Sequence, residues 1–342
     1  MAVAHSTPTT SAIEGGSIFL SGHKGLFWLS KKMIRQAREV FGKCLELDDP
    51  KDFSVEIITE SRNYVYSVSS VASRDYIVKI MDSQQENPFG NVEFHAYDWL
   101  KDIVAIPKCF YKGQLDDRFQ YVILQYIAGR TLLDSLPSMN QDELYDVMGQ
   151  AINFIKSCAK VKTNGFGQLD SNRNGRFKSY QEFVMNSLEE QQSLLTQIKE
   201  DEKKQLLEPF VSKLVQYFTH HPLPHVDDSH MVPLDANPAN FILANNNHLV
   251  AIDLELFVGG DLMLALGAWM TNWYHMDAFV MFLNQWGPIF NMKLAFGFAV
   301  LRTLNILLHL AIHTDLNLAT VQPFGSPFKF YELIQIFIQN LQ

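Results

Sequence analysis

Near residue 130 the chain changes texture, and that change restricts its fold more than any single residue does. Before it, Phe53–Thr59, Tyr64–Val71 and Asp75–Met81 are short alternating or β-branched apolar runs, bounded by Glu-Ser-Arg-Asn and Ala-Ser-Arg-Asp turns. That pattern predicts an antiparallel meander. A helix is expected over Asn91–Lys101, with Val92, His95, Ala96 and Trp99 or Leu100 along one side, and two more strands near Ile106–Tyr111 and Phe119–Tyr126. An earlier helix is predicted over Ser30–Leu45, with Ser30 as its cap. From Thr131 onward the spacing turns helical, over Asp142–Lys160, Tyr180–Lys199, Lys203–His220, Leu262–Trp286, Met292–Thr314 and Pro327–Leu341. Only an apolar hairpin, Phe241–Ile252, breaks that series. The expected class is α+β with two lobes: a partly flexible extension over 1–29, a small antiparallel sheet lobe with one helix over 30–128, and a large, mainly helical lobe over 129–342.

Composition permits this division. The 342 residues are 47% hydrophobic and 19% charged, an ordinary globular balance with enough apolar side chains for a large core. A net charge of −9 argues against nucleic acid, which demands clustered Lys and Arg. Acidic residues outnumber basic ones from Val211 onward, so either a cationic substrate or a solvated acidic surface is expected. Asp277, Lys293, Arg302 and His309 interrupt the apolar stretches after residue 262, so no membrane partner is expected. The Ser/Thr/Ala-rich start, Met1–Gly16, has no basic region of a secretory signal, and a cytoplasmic protein is expected. Cys44, Cys109 and Cys158 fit no metal knuckle or redox pair and are expected to be buried thiols.

Chemistry concentrates in His230-Met-Val-Pro-Leu-Asp235-Ala-Asn-Pro-Ala-Asn240, followed by the hairpin and Asp253-Leu-Glu255. Two carboxylates and an amide on neighbouring loop ends form a hard-oxygen site suited to magnesium and a nucleotide phosphate. Asp235 would orient the attacking hydroxyl, and Asn240 with Asp253 would hold the metal. Lys79 stands in the apolar run Tyr-Ile-Val-Lys-Ile, where an ammonium needs an anion such as a nucleotide phosphate. Glu93, early on the following helix, could pair with it. Taken alone, Lys79 could equally be the solvent-facing residue of an edge strand.

In this order the residues resemble the aminoglycoside phosphotransferase and choline kinase family, whose fold is protein-kinase-like, from about Phe53 to Gly267. The family's H-x-D-x4-N loop and I-D-x-E segment correspond to Asp235, Asn240, Asp253 and Glu255. Val-Ile-Leu-Gln125-Tyr-Ile127 is similar to the hinge whose backbone pairs with adenine. Gly165-Phe-Gly167 with Ser179-Tyr-Gln-Glu-Phe183 resembles a linker of its antibiotic kinases, and Gly260-Asp261 matches another family position. In two places the chain departs from the pattern. Pro233 and Leu234 replace the family His and Gly before the catalytic Asp, and the nucleotide-covering turn, Glu60-Ser61-Arg62-Asn63, has Ser and Asn in place of glycines.

The resemblance implies an ATP- and Mg2+-dependent kinase, with GTP as a possible donor, acting on a hydroxyl of a small cationic or sugar-like molecule such as an antibiotic. Lys79, Glu93, Ser61, Asn63, Gln125 and Ile127 would bind nucleotide. Glu255, Asp261, Asp277 and Trp273 are candidates for substrate contact, although aromatic residues at helical spacing, such as Trp269, Trp273, Tyr274 and Trp286, more often form core. A metabolic kinase for choline, an amino alcohol or a sugar, and a nucleotide-binding pseudokinase, remain alternatives. No G-x4-G-K-[ST] loop or G-x-S-x-G elbow occurs, and oligomeric state is open.

Overall fold

The computed structural model describes residues 26–44, 53–60, 63–70, 73–82, 92–235, 237–274, 276–288, 291–323 and 328–341; most of the expected N-terminal extension lies outside them. In the first lobe β1 (Phe53–Glu60), β2 (Asn63–Ser70), β3 (Ser73–Asp82), β4 (Cys109–Gln114) and β5 (Phe119–Gln125) form an antiparallel sheet in the order β1-β2-β3-β5-β4. Successive strand residues face opposite ways. Val78 and Ile80 therefore pack with Met33, Ala37 and Phe41 of α1 (Leu26–Cys44). Met81, Val122 and Leu124 instead join Ala96, Tyr97 and Leu100 of α2 (Glu93–Leu100) in the main core. Lys79 shares this second face and is only 6% exposed, so the edge-strand alternative does not hold.

Residues 126–128 lead to β6 (Gly129–Thr131), and the second lobe follows: α3 (Leu132–Ser135), α4 (Gln141–Cys158), β7 (Lys162–Thr163), β8 (Phe166–Leu169), β9 (Gly175–Phe177), α5 (Tyr180–Gln197), α6 (Asp201–His220), β10 (Ser229–Pro233), β11 (Phe241–Ala244), β12 (Leu249–Ala251), β13 (Phe257–Gly260), α7 (Leu262–Trp273), α8 (Asp277–Trp286), α9 (Met292–His313) and α10 (Phe330–Gln339). Capping boxes start α4 (Asn140 with Glu143) and α5 (Ser179 with Glu182). By length and hydropathy α9 could cross a bilayer, yet 72% of its apolar window is buried, against α5, α6, α7 and α10. It is the central core helix.

The fold matches the expected two-lobed class and corrects it in detail. The hairpin is not the only β structure after residue 130, because β7, β10, β13, β8 and β9 form a second five-stranded sheet and β12, β11 and β6 a third, three-stranded one. These strands are two to five residues long, too short to display an alternation. Gly165 (φ 105°) and Gly167 (φ 77°) lie in the left-handed region, which accounts for glycine at both positions around β8. The helix expected over Leu262–Trp286 is two helices, α7 and α8, broken after Trp273. Trp269, Phe279 and Phe282 are buried on both sides of the break, so the apolar period runs through it. The fourth strand lies three residues later than expected, beyond Pro107, which has no N–H to donate. Only Cys158 of the three cysteines is buried; Cys44 and Cys109 are partly exposed.

Candidate active site

Two pieces of β structure bring the loop residues together. β10 and β13 pair antiparallel with Pro233 opposite Phe257, and the next residue, Leu234, donates its N–H to the Leu256 carbonyl at 2.8 Å. The backbone thus supplies at Leu234 the link that Pro233 cannot. Asp235 follows directly. The turn after it is stabilised by the Asn237 side chain, which accepts the Ala239 N–H at 2.9 Å, and it turns Asn240 back so that Nδ2 donates to Asp235 Oδ2 at 2.9 Å. The Ile252 N–H donates to the Asn240 carbonyl at 2.8 Å, fastening this loop to the strand end that carries Asp253. Asp253 adopts φ 58°, a left-handed conformation that Asp tolerates better than most residues and that recurs at functional sites. Pro233, Asp235, Asn240 and Asp253 border a cavity of about 10 Å³, room for roughly one water-sized body. With Nδ2 engaged by Asp235, the amide oxygen of Asn240 and the Asp253 carboxylate form a hard-oxygen pair that fits a magnesium ion.

Across from this loop, Lys79 Nζ lies 2.6 Å from Glu93 Oε2, 2.7 Å from Asp253 Oδ1 and 3.4 Å from Glu255 Oε1. The oxygens of Glu93, Asp253 and Glu255 lie within 4.8 Å of one another around that ammonium. Tyr97 donates its hydroxyl to Glu93 Oε1 at 2.9 Å, and Asn63 of β2 donates to Glu255 Oε1, joining the two lobes. Burial alone would lower the Lys79 pKa, but the carboxylates of Asp253, Glu93 and Glu255 outweigh it and hold the ammonium well above its ordinary value. Burial raises the pKa of Glu93 against the pull of Lys79. Burial likewise raises that of Asp235, opposed by the charge of Arg302 and the hydrogen bond from Asn240.

The structure therefore gathers Lys79, Glu93, Asn63, Asp235, Asn240, Asp253 and Glu255 at the junction of the lobes. Gln125 ends β5, exposed, with its N–H on the Lys108 carbonyl at 2.8 Å, and Ile127 lies partly buried in the link between lobes. Ser61 lies outside the described residues. Two candidates for substrate contact have structural work elsewhere, and a third lies on the surface. Asp261 caps α7, accepting the Leu264 N–H at 3.0 Å and the Tyr180 hydroxyl at 2.8 Å. Trp273 is 0% exposed and stacked on Trp269 at 5.0 Å between ring centroids. Asp277 is exposed at the start of α8.

A second cavity, about 210 Å³, is reached on the helical side at Leu234, the residue before Asp235, and Gln191 of α5 and Phe298, Arg302 and Asn305 of α9 contribute to its lining. Sequence reasoning did not assign Arg302 or Gln191 to a site, because which helix faces meet depends on packing. A signal for Arg302 existed all the same: an arginine in the apolar run of α9 needs a partner as Lys79 does in β3.

The model of the phosphotransferase enzyme family (APH) matches residues 54–293, most of the chain. The chain belongs to the phosphotransferase enzyme family. As a member of it, the protein is an enzyme that transfers a phosphoryl group to an alcohol oxygen. The family resemblance carried by Asp235, Asn240, Asp253 and Glu255 is borne out. Solved structures share the fold. Aminoglycoside phosphotransferase APH(4)-Ia has a TM-score of 0.62 and 14% identity, over 90% of this chain and 98% of its own. The GDP and kanamycin complex of APH(2")-IIia has a TM-score of 0.57 and 16% identity, over 84% and 91%. Amicoumacin kinase hAmiN, in complex with AMP-PNP, Ca2+ and Ami, has a TM-score of 0.56 and 14% identity, over 91% and 95%. No curated protein matches the chain in sequence.

Proposed function

We propose that the protein is an ATP- and magnesium-dependent kinase that transfers the γ-phosphoryl group to a hydroxyl of a small, polyfunctional molecule, possession of which as an antibiotic would make it a resistance enzyme. The observation that carries this reading is the Lys79 ammonium between Glu93 and Asp253, facing a loop in which Asp235 is hydrogen-bonded to Asn240. Lys79, directed by Glu93, would steady the nucleotide phosphates. Gln125 and Ile127 would present backbone groups to the base, with Ser61 and Asn63 over the phosphates. Asn240 and Asp253 would hold the magnesium, which when bound neutralises charge on the phosphate oxygens. Asp235 would accept a hydrogen bond from the acceptor hydroxyl and aim its oxygen in line with the phosphorus.

The neighbours support the choice of nucleotide and acceptor. One is complexed with AMP-PNP and Ami and another with GDP and kanamycin, so GTP belongs beside ATP in any assay. The test is a coupled ADP-release assay over aminoglycosides, other cyclic antibiotics, choline, amino alcohols and hydroxy acids. Asp235→Ala is expected to lower turnover roughly 100- to 10,000-fold while AMP-PNP binding stays within about threefold of wild type. Full turnover by that variant would remove Asp235 from its role. Magnesium-independent nucleotide binding with no transfer to any acceptor would favour a pseudokinase.

A further inference from the structure

The cavity beside Asp235 holds polar groups that the protein itself leaves unmet. Arg302 Nε and Gln191 Oε1 are both shielded from solvent without a hydrogen-bond partner, and Gln191 is only 2% exposed. Both residues line the same cavity of about 210 Å³. An unpaired buried donor or acceptor costs roughly 1–3 kcal/mol, and more when charged. One donor and one acceptor in a single cavity therefore define a complementary ligand: an oxygen acceptor for the guanidinium and a donor for the amide oxygen.

The sign of the ligand follows from the charges nearby. Burial lowers the pKa of Arg302, and the Asp235 carboxylate only partly offsets it. In return, Arg302 is the strongest attractive charge acting on Asp235, whose chain neighbour Leu234 lines the cavity. A second cation, Arg176, lines the same space with one carboxylate, Glu190, on which its charge acts, and Phe177, Phe183 and Phe298 add apolar wall. The acidic candidates for substrate contact, Glu255, Asp261 and Asp277, are not in this lining. The charged residues of the lining are two arginines and one glutamate, the reverse of an acid-rich receptor for a polyamine.

Resting on the kinase reading above, we propose that this cavity takes a small hydroxylated carboxylate, whose anionic oxygens meet the Arg302 guanidinium while a donor of the same molecule meets Gln191 Oε1, so that its hydroxyl falls at Asp235. A guanidinium is permanently charged and its planar fork matches a carboxylate, so Arg302 sets specificity for the acceptor. A neutral amide in place of the carboxylate would leave the guanidinium uncompensated.

The experiment is calorimetric titration of the full-length protein, with and without AMP-PNP and magnesium, using glycerate, serine and gluconate against their amides, and kanamycin as the cationic comparator. At least one acid is expected to bind tenfold or more tightly than its amide and than kanamycin. Arg302→Gln should abolish that preference, Arg302→Lys should retain part of it through the charge, and Asp235→Asn should keep it. A merely structural role for Arg302 would weaken acid and amide alike. The proposal is overturned if none of the acids binds, if amides or kanamycin bind as tightly, or if the preference survives Arg302→Gln. Failure of the wild type to bind AMP-PNP would instead undo the kinase reading, and the acid preference measured without nucleotide would still stand or fall separately.

Discussion

The two sides of Asp235 are built on opposite terms. Toward the sheet lobe, the Lys79 ammonium is within 3.4 Å of three carboxylates, and Tyr97 and Asn63 donate to two of those. Toward the helical lobe, Arg302 Nε and Gln191 Oε1 have no hydrogen-bond partner. The difference teaches that the first region is pre-organised, with its charges oriented before any ligand arrives. The second becomes complete only with a ligand, and its open valences describe that ligand.

Replacing Lys79 should break the first region most severely. Lys79→Met leaves Glu93, 0% exposed, without its counter-charge, and should cost about 3–5 kcal/mol of stability in urea denaturation. A Lys79→Met, Glu93→Leu double variant that recovers most of this loss would confirm the cause as the stranded charge. No loss in the single variant would mean that the cluster is not self-satisfied. Next in size, Asp253→Asn should lower turnover by roughly 100-fold, the several kcal/mol a metal ligand supplies, with the apparent magnesium requirement rising in parallel. An unchanged magnesium dependence would take Asp253 out of metal binding.

A pH profile probes the boundary between the regions. Burial raises the Asp235 pKa, and transfer requires the ionised form, so the acid limb of kcat/KM should lie above the range of an ordinary aspartate. Arg302→Gln removes a cation that favours ionisation and should move that limb further up. The stability effect has the opposite sign to that of a salt-bridged carboxylate. Because the folded pKa is raised, ionisation costs stability as pH rises past the unfolded value, and acidification relieves that cost. Asp235→Asn should therefore raise the melting temperature near neutrality. The smallest effect is expected at Asp277, exposed on α8: Asp277→Asn should change stability by no more than about 0.5 kcal/mol and leave KM unaltered, as calorimetry and kinetics can check.

What the sequence disclosed divides along the same line. Lys79, Glu93, Asp235, Asn240 and Asp253 each lie in a short segment whose local pattern names the element: an apolar strand, the first turn of a helix, a loop before a hairpin. Their convergence follows from joining those elements in the order of a known fold. The acceptor side offers no such segment. Gln191 and Arg302 stand 111 positions apart by their numbers on α5 and α9, and only the rotation and packing of two helices bring them to one cavity. The same limit explains Trp273, whose helical spacing suited either a pocket wall or a core, and which the structure buries in an aromatic stack. It also explains β10 and β13, too short for periodicity, although they hold Asp235 beside Asp253.

The apolar α9 has a consequence for how the chain matures. Its covering helices include α10, which follows it in the chain, so α9 is synthesised while part of its flank is still bare. During that interval the newborn chain presents a 22-residue apolar stretch with the hydropathy of a membrane span. Docking of α10 ends the exposure. Loss of 328–341 would leave Arg302 correctly encoded but its helix sticky, and such a chain should be recovered in inclusion bodies rather than as a folded enzyme with a weakened substrate site.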